Sequence, residues 1–200
     1  QAHDAREIEG TRFLVMEYVE GMDLRDVAKR LGPLPVADAC EVALQAALGL
    51  QCAHEHGLVH RDVKPSNLML GAPLSLKGRG AGGEGAQPVL LHLEIQLARP
   101  QAEEGDNEVT GTGEAMGTAD YMAPEQAQDS RSVDIRADLY SLGCTLYRLI
   151  AGRAPFSGPK YNTAVKKLLG HIQDPPPKIT RLRRDVPKRL EIVLGRLLAK

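Results

Sequence analysis

Asp62, Lys64 and Asn67 put a carboxylate, an ammonium and a carboxamide within six consecutive positions of this 200-residue chain. A carboxylate in an accessible loop can orient a hydroxyl and take its proton. In an extended loop an ammonium two residues away faces the same side, where it can stabilise developing negative charge. A carboxamide oxygen is a hard ligand for a cation such as magnesium. Arg61, next to the acid, carries a planar fork of N–H donors that matches a phosphate. The bland alternative is a polar turn, since Asp, Pro, Ser and Asn are ordinary turn residues.

A turn does not explain the whole run. His60-Arg61-Asp62-Val63-Lys64-Pro65-Ser66-Asn67 resembles the catalytic loop of serine/threonine protein kinases, in which His-Arg-Asp is followed by Asn five residues after the Asp. Further matches occur in the family's order over nearly all of the chain outside 71–88. Met16-Glu17-Tyr18-Val19-Glu20-Gly21 is similar to the hinge. Gly117-Thr118-Ala119-Asp120-Tyr121-Met122-Ala123-Pro124-Glu125 looks like the substrate-docking segment, with wording most like the bacterial members. Asp138-Leu139-Tyr140-Ser141-Leu142-Gly143 resembles the start of the central buried helix.

The resemblance implies an α+β, mainly α fold: the C-terminal lobe of a protein kinase with a remnant of the N-lobe sheet. It implies transfer of the ATP γ-phosphoryl group to protein Ser and Thr hydroxyls. Asp62 would be the base, Lys64 an electrostatic clamp, and Asn67 with Glu94 the ligands for Mg2+. The main chain of Glu17 and Val19 would meet the adenine edge, with Met16 as gatekeeper and Met69 as floor. Arg61, Thr118 and Glu125 would serve the activation loop and substrate docking. His60 and Asp138 would be structural, Asp138 buried and bonded to the loop's main chain. The implied partners are ATP, a protein substrate and a protein covering the exposed lobe interface.

The pattern is broken in places. Glu94-Ile95-Gln96 precedes Leu97-Ala98-Arg99 where the family has Asp-Phe-Gly. The extra methylene of Glu moves a carboxylate by more than about 1 Å, and magnesium demands near-ideal octahedral geometry. A displacement of that size costs on the order of a hundredfold in rate. Gln96 also replaces a glycine whose backbone freedom lets the motif turn. Residues 1–19 read as remnant N-lobe strands and the start of the hinge, without the glycine-rich phosphate cover, the strand lysine or its helix glutamate. Residues 20–200 read as the C-lobe, with a low-complexity insertion at 71–88 and a truncated C-terminal helix. Within the insertion, Gly78-Arg79-Gly80-Ala81-Gly82-Gly83 matches a phosphate-loop spelling but opens no helix, so it reads as flexible sequence. The arginine that would pair with Glu125 is expected after Lys200. These departures support an alternative: a catalytically impaired kinase remnant acting as a protein-binding module.

The elements that must hold this loop follow from pattern. Residues 12–19 are rich in strand formers, and Asp23 is placed to cap a helix from Leu24 that ends at Gly32-Pro33. Val36, Ala39, Val42, Ala43, Ala46, Leu50 and Ala53 recur at helical spacing up to about His56, with Gly57 as the stop. Leu58 to His60 and Asn67 to Leu70 read as short strands flanking the polar loop. Val89 to Ala98 is apolar, and an acidic, glycine-bearing stretch follows in which Thr110 and Thr112 are candidate phosphoacceptors. A second long helix is expected from Arg131 to Ala151, closed by Gly152, and two shorter ones over 163–171 and 186–199 around Pro175-Pro176-Pro177.

Composition sets the limits. Apolar content of 42%, charged content of 26% and a formal net charge of -1 suit one soluble domain or a large piece of one, and nothing global in them argues for binding nucleic acid or an anionic membrane. Aromatics are scarce, at 4%, and Trp is absent, which leaves no stacking platform for single-stranded nucleic acid. No apolar run approaches the roughly 18–20 residues of a membrane span. The scattered Cys40, Cys52 and Cys144 read as core residues of a protein in the reducing cytoplasm. Cys52, His54, His56 and His60 invite a zinc reading, but they fall where the family often has His. The basic stretch from Lys178 to Arg189 reads as a solvated face.

Overall fold

Helix α4 (Ile135–Ala151) lies at the centre, with twelve of its seventeen residues buried. A helix buried nearly all round must be enclosed by other elements, and here those are helices. The computed structural model describes residues 21–71, 117–129 and 133–200 in full and the backbone of 2–8, 11–16 and 91–93. Among these residues the elements are six α-helices, five short strands and three 3-10 turns, so the fold is α+β and mainly α.

Helix α1 (Leu24–Leu31) starts where Asp23 caps it, the carboxylate accepting the Asp26 N–H at 2.8 Å. It ends at Gly32, whose φ of 74° favours a residue without a Cβ. Helix α2 (Val36–Glu55) packs on α4 through Ala39, Val42, Ala46, Leu50 and Ala53. That stripe excludes Cys52, which is exposed, so the reading of all three cysteines as core holds for the buried Cys144 and not for Cys52. The linker between α1 and α2 is sewn to α4 by the Leu34 N–H, which donates to the Leu149 carbonyl at 2.8 Å.

Helix α4 begins four residues later than the sequence pattern predicts. Asp134 is its N-cap, the carboxylate accepting the Arg136 N–H at 2.9 Å. Val133 is buried ahead of the cap rather than as a helical turn. At the other end Gly152 is left-handed and donates its N–H to the Arg148 carbonyl, and a Cβ there would lie 2.9 Å from Pro33 Cγ. The remaining helices are α3 (Pro124–Gln128), α5 (Ala164–Gln173) and α6 (Lys188–Leu197). Helix α6 comes so near α4 that a Cβ on Gly143 would lie 2.8 Å from Leu197 Cβ.

Strands β1 (Ala2–Ile8) and β2 (Thr11–Met16) pair antiparallel. Strands β3 (Gly21–Asp23), β4 (Leu68–Gly71) and β5 (Leu91–Leu93) form a second antiparallel sheet in that order, with Asp23 opposite Met69 and Met69 opposite His92. Leu58 to His60 is not a strand, because its donors are taken elsewhere. The Leu58 N–H returns to the Ala53 carbonyl at 3.0 Å and the His60 N–H goes to a side chain of α4. Asn67 belongs to a 3-10 turn, Pro65–Asn67, just ahead of β4. No helix among the described residues is long and apolar enough to cross a membrane.

Candidate active site

The loop from His60 to Asn67 is held from beneath by Asp138, a fully buried carboxylate in the first turn of α4. Asp138 Oδ2 accepts the His60 N–H at 2.8 Å and Oδ1 accepts the Arg61 N–H at 2.7 Å. His54 Nε2, from the last turns of α2, stands 2.9 Å from Oδ2. Burying an ionised carboxylate is costly unless donors converge on it. Two main-chain donors, an imidazole and the positive end of a helix do so here.

Above this anchor the loop is shaped residue by residue. Arg61 is the sole non-glycine among the described residues with a left-handed backbone, φ 66°. Such a conformation costs about 1–3 kcal/mol and persists only where the surroundings impose it. Both of its peptide groups are held: the N–H by Asp138, and the carbonyl by Gln126 Nε2 at 2.8 Å. The Asp62 N–H donates to His60 Nδ1 at 3.2 Å, which makes Nδ1 the acceptor and leaves the ring proton on Nε2. Val63 is buried in the core, and its carbonyl accepts the Thr145 hydroxyl of α4 at 3.3 Å.

Four functional groups then converge. Lys64 Nζ spans Asp62 Oδ2 at 2.7 Å and Thr118 Oγ1 at 3.1 Å. The Asn67 amide donates to the Asp62 carbonyl at 2.8 Å and to Asp62 Oδ2 at 3.0 Å. Both side-chain contacts fall on Oδ2, so Asp62 Oδ1 accepts from none of the described residues. With the Asn67 nitrogen committed to Asp62, its Oδ1, which accepts a long bond from Ser66 Oγ at 3.4 Å, is the face turned to a cation. That donor set suits an oxygen-liganded magnesium ion on one side.

Thr118 arrives on a turn, where the Tyr121 N–H donates to the Thr118 carbonyl at 3.1 Å. This segment is tied down twice. Ser141 of α4 donates to the Tyr121 carbonyl at 2.8 Å, and Lys167 of α5 reaches Asp120 at 2.7 Å. Burial pushes the Asp120 carboxyl above its ordinary range, with Lys167 opposing that shift. Arg61, Asp62, Val63, Thr118, Tyr121, Met122, Gln126 and Ser141 line a shallow depression between the loop and this segment.

The sequence-derived residues divide accordingly. The structure brings Asp62, Lys64, Asn67 and Thr118 together, sets Arg61 beside them, and places His60 and Asp138 beneath. Met69 is half-buried on β4. Glu125, on α3, is also half-buried, and no cation among the described residues forms an ion pair with it. Glu17, Val19, Glu94-Ile95-Gln96, Thr110, Thr112 and the glycine run at 78–83 lie outside the described residues, as does the side chain of Met16. Among the described residues no three His, Cys, Asp or Glu side chains gather as a metal site. His56 Nδ1 stands 2.7 Å from the Cys52 carbonyl, which keeps that ring at the end of its own helix.

Sequence reasoning missed the roles of His54, Gln126, Lys167 and Arg183. Gln126 carried a faint signal, three residues after a helix N-cap position where such amides reach back. Arg183 sat inside the stretch read as a solvated face. It is instead half-buried, donating to the carbonyls of Leu34 at 3.1 Å and Ile150 at 3.2 Å.

Comparison with known proteins agrees with this geometry. The protein kinase domain model matches residues 1–199. The serine/threonine-protein kinase PknB of Mycolicibacterium smegmatis is 37% identical over 188 residues, covering 94% of this chain and 27% of that protein. PknJ of Mycobacterium tuberculosis is 35% identical over 198 residues, covering 99% and 31% respectively. The chain thus spans about a third or less of the curated relatives it matches. A crystal structure of the Mycobacterium tuberculosis PknI kinase domain superposes with a TM-score of 0.65 at 28% identity, over 100% of this chain and 62% of that one. With its loop, docking segment and central helix in the family's order and a domain match over residues 1–199, the chain belongs to the protein kinase domain family, and the relatives it resembles are bacterial serine/threonine kinases.

Proposed function

We propose that this chain carries the catalytic loop and substrate-docking segment of a kinase that transfers the γ-phosphoryl group of ATP to Ser or Thr hydroxyls of proteins. Residues 1–19 are then the N-lobe remnant and hinge, and 20–200 the C-lobe. The supporting observation is the convergence of Asp62, Lys64, Asn67 and Thr118, with Asp62 Oδ1 bonded to none of the described residues. That oxygen orients the incoming hydroxyl and takes its proton. Lys64, already bridging Asp62 and Thr118, sets positive charge where the transferred group becomes more anionic. Thr118 ties the substrate-binding turn to the loop, so acceptor and base are positioned together. Asn67 Oδ1 and Glu94 are the residues that would hold magnesium, which when bound neutralises phosphate charge. Glu17 and Val19 would receive the adenine edge and Met69 its face.

The competing remnant reading rests on Glu94-Ile95-Gln96 together with the phosphate loop and strand lysine not found in these 200 residues. The test is transfer from labelled ATP by the purified full-length protein. Asp62→Asn should lower kcat about a thousandfold, while a thermal shift with Mg-ATP persists in the variant. Transfer by Asp62→Asn at the wild-type rate sinks the assignment.

A further inference from the structure

We infer that Gln126 is a positioning residue, whose two amide atoms do opposite jobs at the junction of docking segment and catalytic loop. Its Oε1 accepts the Ala123 N–H at 3.1 Å, closing the first turn of α3. Its Nε2 donates to the Arg61 carbonyl at 2.8 Å, bracing the strained residue directly before Asp62. Only one orientation of the amide satisfies both partners. Reversed, it would set N–H against N–H and oxygen against oxygen.

The brace is well placed to matter. Arg61 is held from below by α4, through Asp138, and from above by α3, through Gln126. Losing either bond lets the left-handed backbone relax toward an ordinary conformation, and the next residue in the chain is Asp62. Gln126 also lines the same depression as Asp62 and Thr118 without donating to either. It therefore couples the order of the docking segment to the aim of the base. This inference rests on the kinase reading for its consequence in turnover, but the brace itself is testable without activity.

Gln126→Glu separates the two jobs. A carboxylate still accepts the Ala123 N–H, in a helix first turn where negative charge is favoured, but it cannot donate to Arg61. In the full-length protein the expected result is a Tm lower by only about 2–4 °C, the cost of one hydrogen bond, and a KM for ATP within about twofold of wild type, with kcat lowered about tenfold to a hundredfold. Amide exchange over residues 58–63 should quicken about tenfold, the population change expected for one lost hydrogen bond. Wild-type exchange and wild-type kcat in this variant would reduce Gln126 to a helix cap and overturn the inference. Should Gln126→Glu fail to fold, Gln126→Met carries the same exchange test, with quickened exchange at 58–63 supporting the brace and unchanged exchange overturning it. If the wild-type protein transfers no phosphate, the kinase reading fails, and the exchange contrast still decides the brace.

Discussion

Two buried polar centres lie on opposite sides of α4, and they solve the same problem differently. At Asp138 the helix buries a carboxylate on which two loop N–H groups and His54 close. Two residues on, Tyr140 meets His171 of α5 at 2.8 Å between hydroxyl and Nδ1, and neither ring carries a charge. Burial raises the Tyr140 phenol, and burial with the nearby Lys200 ammonium lowers His171 to about 3. Lys200 stands 3.1 Å from the Tyr140 hydroxyl and over the Phe156 ring. A carboxylate is accommodated in the core where fixed main-chain donors converge on it. Where the neighbours are aromatic rings and the ammonium groups of Lys200 and Lys167, the group stays neutral. The first centre can hold a loop in one conformation, and the second fastens α5 to α4.

The largest expected effect breaks the first centre. Asp138→Ala strands the His60 and Arg61 N–H groups, at about 1–3 kcal/mol each. Urea unfolding should show a loss of about 3 kcal/mol, and a loss below about 1 kcal/mol would mean that other groups hold the loop.

The second centre should respond to pH. His171 binds no proton in the folded state until about pH 3, whereas in the unfolded chain it titrates near 6.5. Between those values the unfolded state holds more protons, so stability is full above about pH 6.5 and declines as pH falls. From pH 7 to pH 5 the loss from this group is about 2 kcal/mol. His171→Gln has no such titration, so its unfolding free energy should change less over that interval by that amount. Parallel pH profiles for the two proteins would count against a neutral, buried imidazole.

The smallest effect sharpens the comparison at the loop itself. Thr145→Val keeps the shape but removes the hydroxyl that reaches the Val63 carbonyl. The expected cost is about 1 kcal/mol, read as a shift in the urea midpoint, with little change in the exchange of the better-anchored His60 and Arg61 amides. A fall in protection at 60–61 as large as that of Asp138→Ala would show that the loop has no dominant anchor.

The chemistry of adjacent residues is legible from their order along the chain. Asp23 as a cap, the α2 stripe from Ala39 to Ala53, Gly32 and Gly152 as stops, and the His60 to Asn67 run all act through neighbours a few positions apart. Their physical effects are local, so order along the chain suffices. Errors arose where a local signal competed with a distant partner. Leu58 to His60 has strand-forming residues, yet its donors go back to α2 and across to Asp138. Cys52 has apolar neighbours, yet lies off the buried stripe.

What only the tertiary structure decided is spread over long separations. Gln126 meets Arg61 across 65 positions, and Arg183 meets Leu34 across 149. Such bonds leave no periodicity or spacing to read, because each depends on where packed helices bring two otherwise ordinary polar groups. The letters of the loop specify which atoms could do chemistry. The burial of α4, and the donors it collects at Asp138, decide which way those atoms face.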